Sequence, residues 1–197
     1  LATPQVARLL DALIELRIVE RVTPVVKATK RQVVYRICDN LFRFWYRFVP
    51  LYAGTIEEGL GAAVAARIAK HDLSTFVGPA FEEVCRQWLM RQVVESELDV
   101  LPKAIGSWWG TNPNTRRQEE IDVVLEDADG ELIVGECKWR NEPVDTDVLE
   151  TLERRSALLG QPIKQCYLFS KSGFTKACQN RAAQASSARL VGLEQLL

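Results

Sequence analysis

Asp122, Glu136 and Lys138 are charged side chains set inside apolar runs, Ile121-Asp122-Val123 and Ile133-Val134-Gly135-Glu136-Cys137-Lys138-Trp139. A buried charge is costly unless it is paired or holds a metal, so these positions call for a chemical reason. Strand side chains repeat every two residues, which puts Glu136 and Lys138 on one face. Asp127-Ala128-Asp129-Gly130 reads as a hairpin turn between the two runs. A four-residue loop sets Asp122 opposite residue 135, and a two-residue loop centred on Asp129-Gly130 sets it opposite residue 137. In both cases its carboxylate stands within one position of Glu136, on a strand about 4.8 Å away. Two carboxylates that close raise one another's pKa unless a cation neutralises them, and for oxygen ligands that cation is Mg²⁺, or Mn²⁺ in its place. A divalent ion acidifies a bound water and polarises a phosphodiester oxygen, while the lysine positions or helps deprotonate that water. The chemistry expected is phosphodiester hydrolysis. The competing reading is a buried ion cluster in which Lys138 simply pairs with Asp122 and Glu136.

The composition removes other routes. His71 is the only histidine, so paired-His metalloproteases and Cys2His2 zinc fingers are excluded, and a Ser-His-Asp or Cys-His site would rest on that one residue. The five cysteines, Cys38, Cys85, Cys137, Cys166 and Cys178, are odd in number and never spaced C-x-x-C. They read as buried thiols of a reduced cytoplasm rather than a disulfide scaffold or zinc site. Neither a signal peptide nor a charge-free apolar run long enough to span a membrane is expected. The chain of 197 residues carries a formal net charge of -1, but unevenly: residues 1–50 hold nine basic and four acidic residues, and the remainder is acidic. A basic front and an acidic back suggest two units with different tasks. The first residue is Leu, which suggests a piece of a longer chain.

The elements that must position the charged residues follow from periodicity. Thr3-Pro4 opens a helix to about residue 18, with Val6, Leu9, Leu10, Leu13 and Ile14 at helical spacing. Strands over 19–26 and 32–37 flank a basic tip, Lys27 to Arg31, and a helix followed by a hairpin with a basic tip is the second half of a winged helix. Asp39 caps an aromatic helix in which Leu41, Phe44, Trp45 and Phe48 share one side, expected as core; alternatively its aromatics and arginines stack bases. Thr55-Ile56-Glu57-Glu58 fits a capping box for a helix to about Lys70. Gly78-Pro79 opens a further helix whose apolar stripe is Phe81, Val84, Cys85, Trp88 and Leu89, with Glu82, Glu83 and Arg86 off it. Strands over 104–109, 121–125 and 132–139, a helix over 146–159, a strand over 165–169, a helix over 175–185 and a strand over 189–191 complete an α-β-β-β-α-β-α-β order.

The spacing D-x13-E-x-K behind a helix carrying Phe81-Glu82 resembles the PD-(D/E)XK nuclease superfamily, whose common core is α-β-β-β-α-β with a mixed sheet. That resemblance implies a restriction-endonuclease-like α/β fold, with Asp122, Glu136, Lys138 and Glu82 as catalytic residues. It implies a metal held by Asp122, Glu136, Glu82 and the backbone carbonyl of Cys137. The usual proline before the strand-two acid is replaced by Ile121. Five further blocks, Tyr35 to Phe48, Val77 to Glu82, Ile105 to Trp109, Glu120 to Asp122 and Gly135 to Trp139, are similar to the C-terminal part of archaeal-type ATPases of the AAA+/STAND group, the domain called DUF234. This implies a parent protein with an attached P-loop ATPase, a winged helix, and this nuclease-like domain. No G-x-x-x-x-G-K-[ST] occurs here, so ATP would bind only in the missing N-terminal part.

Read together, residues 1–37 are a partial winged-helix unit, 38–76 a helical connector and 77–197 the nuclease-like domain. The expected function is a Mg²⁺-dependent DNA endonuclease module of a larger cytoplasmic ATP-binding protein. Its alternative is a catalytically silent nuclease fold that binds DNA or a partner and regulates the ATPase. Arg8, Lys27, Lys30, Arg31, Arg116, Arg117 and Arg140 are the candidate phosphate contacts. Glu120, in register with Asp122, is a candidate extra ligand, Glu119 adds local negative charge, and Trp108-Trp109 either stack bases or divide between core and surface. An oligomer is compatible with all of this, and a membrane is not expected.

Overall fold

A computed structural model describes residues 3–26, 32–185 and 188–197. The basic tip with Lys27, Lys30 and Arg31 lies outside the described residues. The chain divides into two compact units, residues 1–23 with 29–76, and residues 24–28 with 77–197.

The first unit holds helix α1 (Thr3–Glu15), strands β1 (Val19–Val22) and β2 (Val34–Ile37) in antiparallel register, and helix α2 (Asn40–Phe48). Asp39 caps α2 by accepting a hydrogen bond from the Phe42 N–H at 2.9 Å, as its position requires. Only part of the expected aromatic face is core. Phe44 and Phe48 pack on Phe76, with ring centroids 5.8 and 5.4 Å away, whereas Leu41 and Trp45 are 73% and 52% exposed. The helix buries the side that meets Phe76 and leaves the rest of its apolar stripe open. Beyond Pro50 a short 3-10 turn leads into α3 (Ala53–Thr55), a π segment (Ile56–Leu60) and α4 (Gly61–His71). Thr55 is already helical and makes no side-chain cap bond, so the expected capping box is absent. The break falls instead at Gly59, whose φ of 86° is a left-handed conformation that glycine tolerates without a Cβ clash.

Helix α5 (Leu73–Val94) starts before the Gly78-Pro79 pair expected to open it. Helical bonding has begun by the Phe76 N–H, which donates to Asp72 O at 3.0 Å, so Pro79 sits inside the helix. Among the described residues no helix is long and apolar enough to cross a membrane.

The second unit is a five-stranded mixed sheet in chain order: β3 (Pro102–Thr111), β4 (Gln118–Asp127), β5 (Leu132–Lys138), β6 (Ile163–Ser170) and β7 (Ala188–Gly192). The first three strands are antiparallel and the last three parallel. The parallel pairs require crossovers, which α6 (Thr146–Ser156) and α7 (Lys176–Gln184) supply. A last short helix, α8 (Leu193–Leu196), carried no expectation. Both faces are covered. Val123, Leu125 and Ile133 pack with Phe81, Cys85 and Leu89 of α5, and Val124, Leu132 and Val134 pack with Val148, Leu149 and Leu152 of α6. Strands buried on both faces read as continuous apolar runs, which is the reason charged residues inside them are conspicuous. Of the α5 stripe, Val84 is instead 39% exposed, and Arg86, expected off the stripe, is 6% exposed.

Two irregularities set the geometry around Asp122. The β4–β5 turn is a three-residue loop, Ala128-Asp129-Gly130, closed by the Asp127 N–H to Glu131 O bond at 3.0 Å, with Gly130 at φ 79°. The Asp127 carboxylate accepts from the N–H groups of Asp129 and Glu131, fixing the turn. The register then runs Leu125 to Ile133 and Val123 to Gly135, which lies between the two alternatives that the sequence allowed, and the ladder stops before Asp122 and Glu136. The second irregularity is a β-bulge: Gly106 pairs with Val124 but Trp108 with Ile121, leaving Ser107 alone opposite Asp122 and Val123.

Candidate active site

The β4–β5 ladder ends at Val123 and Gly135, while β4 continues along β3 and β5 continues along β6. The sheet therefore forks, and Asp122 and Glu136 are the first residues beyond the last pair. The Cys137 N–H, freed from the ladder, donates to Asp122 Oδ2 at 2.8 Å. Gly135 is needed just below the fork, because a Cβ there would meet Phe169 Cε2 at 3.0 Å and Val123 Cβ at 3.2 Å.

Glu136 is 4% exposed and stands on the α6 face. Lys138 Nζ lies 2.6 Å from its Oε1, as the two-residue repeat predicts. Arg155 of α6 donates through Nη1 to both Glu136 oxygens, at 3.2 and 3.3 Å, and through Nε to Glu119 Oε2 at 3.0 Å. Arg154 Nη1 holds the other Glu119 oxygen at 2.7 Å. Hydrogen bonding by Arg154, aided by Arg155 and opposed by burial, holds Glu119 down at about 2. Glu120, expected as an extra ligand, is exposed. The bulge at Asp122 and Val123 shifts the alternation of the preceding residues relative to Val124, so Glu119 and Ile121 are buried on the α6 side, while Glu120 keeps its two-residue spacing from Asp122.

Asp122 is partly buried, and its carboxyl is pushed up to about 7, first by burial and then by the Glu136 charge. Glu82 on α5 adds to the rise, and the Cys137 N–H and Lys138 oppose it. At the fork Asp122 thus gives up its proton reluctantly. The Asp122 backbone carbonyl accepts from Arg86 Nη1 at 2.9 Å, and the same guanidinium faces Glu83 at 3.1 Å and Glu82 at 3.9 Å. Burial and contact with Cys85 push the Cys137 thiol well up, so it stays neutral and is no thiolate ligand. Among the four thiols besides Cys137, Cys38 is exposed and Cys85, Cys166 and Cys178 are buried; all five are free.

The sequence-derived residues fall into two sets. Asp122, Glu136 and Lys138 come together at the fork, and Glu82 acts on Asp122 from α5. Arg8 is exposed on α1, Arg116 and Arg117 are exposed on the β3–β4 loop, and Arg140 follows β5 with its Nη2 3.5 Å from Pro143 O. Trp108 is buried and Trp109 half-buried, the division between core and surface. The spacing of charged residues does not single out Arg86 or Arg155, and it gives Glu119 only as added negative charge near Asp122. The clue available was their placement: an arginine amid the α5 stripe, and a pair of arginines closing an otherwise acidic α6.

Among the described residues no group of three His, Cys, Asp or Glu side chains stands together as a metal cage. The donors present nonetheless suit Mg²⁺, which takes one or two carboxylates and keeps several waters rather than requiring an all-protein cage. Asp122, with its raised proton affinity, and Glu136 are such a pair of oxygen donors.

The family model of DUF234, described as archaea bacterial proteins of unknown function, matches residues 45–156. The chain belongs to this family. The matched stretch of the DUF234 chain contains Glu82, Asp122, Glu136, Lys138 and Arg155. The uncharacterized protein MJECL04 of Methanocaldococcus jannaschii is 32% identical over 156 residues, covering 77% of this chain and 33% of that protein. The chain therefore spans about a third of the length of this curated relative. Among solved structures, the protein of unknown function AF1548 aligns at a TM-score of 0.38 with 24% identity, over 58% of this chain and 65% of that one. A repair endonuclease from Pyrococcus abyssi aligns at 0.31 with 18% identity, over 45% and 38%. These are partial overlaps, and the chemistry of the DUF234 site is drawn from its own geometry.

Proposed function

We propose that residues 77–197 form a restriction-endonuclease-like, metal-dependent phosphodiesterase module acting on DNA. The observation that carries this reading is the fork: two acids that follow the last ladder pair on adjacent strands, one with its proton affinity raised by burial and by the other's charge, and a lysine 2.6 Å from the other. Asp122 and Glu136, with the Cys137 carbonyl, would hold Mg²⁺ or Mn²⁺, and Glu82 would contribute through water. A divalent ion there would supply Lewis acidity to a phosphodiester oxygen and acidify an attacking water. Lys138 steadies Glu136 and places an ammonium where negative charge develops on the scissile phosphate. The Cys137 N–H fixes the Asp122 carboxylate, and Arg86 fixes the backbone behind it.

This acidic unit has to draw a polyanion, and phosphate contacts fall to Arg116, Arg117 and Arg140, with Arg8, Lys27, Lys30 and Arg31 as a partial winged helix. Residues 38–76 would be the helical connector. The module would belong to a longer cytoplasmic protein whose P-loop ATPase binds ATP. A second reading, a silent fold serving as a DNA-binding or regulatory platform, is favoured by one observation: Glu136 is already contacted by two cations.

Supercoiled plasmid incubated with the chain and with the longer parent protein plus ATP, in Mg²⁺ or Mn²⁺, separates the two. Metal-dependent nicking that Lys138→Ala abolishes supports the enzyme. DNA retention by an intact parent protein that cuts no nucleic acid supports the platform.

A further inference from the structure

The proposed reading leaves Arg155 without a task, yet the ion network is organised around it. Its guanidinium, 23% exposed, bridges two buried carboxylates on different strands, Glu119 of β4 and Glu136 of β5, across the opening of the fork. Glu119 has a second cation in Arg154 and an amide contact from Asn112 at 3.5 Å. Glu136 has a second cation in Lys138. The order of charges across the site is therefore Arg154, Glu119, Arg155, Glu136, Lys138, with Asp122 next to Glu136.

We infer that Arg155 is a positioning residue that serves as the resident counter-ion of Glu136 and weakens divalent-metal binding at the fork, with Glu119 as the anchor that draws it away. This rests on the metal-binding reading of Asp122 and Glu136. The chemistry is a competition for lone pairs. Both Glu136 oxygens accept from Arg155 Nη1, so a metal sharing this carboxylate meets a fixed positive charge within the same group. Arg155 also makes the metal-free fork tolerable, because Glu136 without it would be a buried carboxylate paired to Lys138 alone. The planar fork of arginine matters, since one side chain must reach two carboxylates at once. A lysine at 155 would keep the charge and lose that bridge.

The network predicts opposite effects for its two members. Arg155→Gln removes the competing cation and tightens Mn²⁺ binding by about tenfold. Glu119→Gln removes the rival acceptor, concentrates Arg155 on Glu136, and weakens Mn²⁺ binding by a comparable factor. A merely structural network would give losses of the same sign. Isothermal titration of Mn²⁺ into the full chain and these variants, with Asp122→Asn as control, reads this directly. Thermal unfolding with and without Mn²⁺ gives a readout independent of cutting: the metal-induced rise in Tm is larger in Arg155→Gln than in the wild type. If Arg155→Gln binds Mn²⁺ equally or more weakly while Asp122→Asn loses binding, the counter-ion role is overturned and the metal reading stands. If neither the wild type nor Arg155→Gln binds Mn²⁺, the metal reading fails and takes this inference with it.

Discussion

Replacing Asp122 by Asn keeps the size of the side chain and an oxygen to accept the Cys137 N–H, and removes only the charge. The Asp122 carboxyl is raised from 3.8 to about 7, by burial first and by Glu136 second. A raised acid binds its proton more tightly in the folded state. Its stabilising contribution is fully present below 3.8 and is lost as pH rises toward 7, above which the native state carries the whole penalty. Three pKa units correspond to about 4 kcal/mol, and halving this for solvent relaxation around a partly exposed group leaves about 2 kcal/mol. Metal-free Asp122→Asn should therefore be more stable than the wild type at pH 8, and the gap should widen by about 1 to 2 kcal/mol between pH 5 and pH 8. Urea unfolding with chelator at several pH values measures it. Mg²⁺ should close the gap by stabilising the wild type alone. A difference that stays flat with pH, or a variant less stable at pH 8, would refute the claim that this acid is strained by its surroundings.

Two other substitutions test the supports of the fork. Arg86→Ala removes a buried guanidinium and leaves the Asp122 carbonyl without its partner, and should cost about 2 to 4 kcal/mol in urea unfolding, whereas Glu83→Ala, at a half-exposed position, should cost less than about 1 kcal/mol; equal costs would remove Arg86 as a support. Gly135→Ala forces a methyl against Phe169 and Val123 and should cost about 1 to 3 kcal/mol; a neutral result would mean that the strands separate freely there.

The element order of the second unit was legible because its strands are covered on both faces and its helices have clear periodicity. Glu136 and Lys138 were paired correctly by the two-residue repeat alone, since nothing interrupts β5 between them. The same rule does not show that Glu119 is the acid turned to α6, because the bulge at Asp122 and Val123 is a property of how β3 and β4 pair and leaves no mark in β4 alone. The turn was bracketed but not resolved: Asp127-Ala128-Asp129-Gly130 accommodates several loop lengths, and the left-handed Gly130 selects the three-residue form. Arg155 leaves no signal in the sequence because its partners lie 19 and 36 residues away on two strands, a meeting that only the crossover helix arranges. In the first unit the aromatic stripe of α2 suggested more core than Phe76 can cover, leaving Leu41 and Trp45 exposed.

The most direct test of the fork as a metal site is an anomalous-difference map from crystals of the chain grown with MnCl₂. The account predicts a peak within coordinating distance of both the Asp122 and Glu136 carboxylates, lost in Asp122→Asn crystals. A map without a peak there, with Arg155 and Lys138 still clasping Glu136, would contradict it.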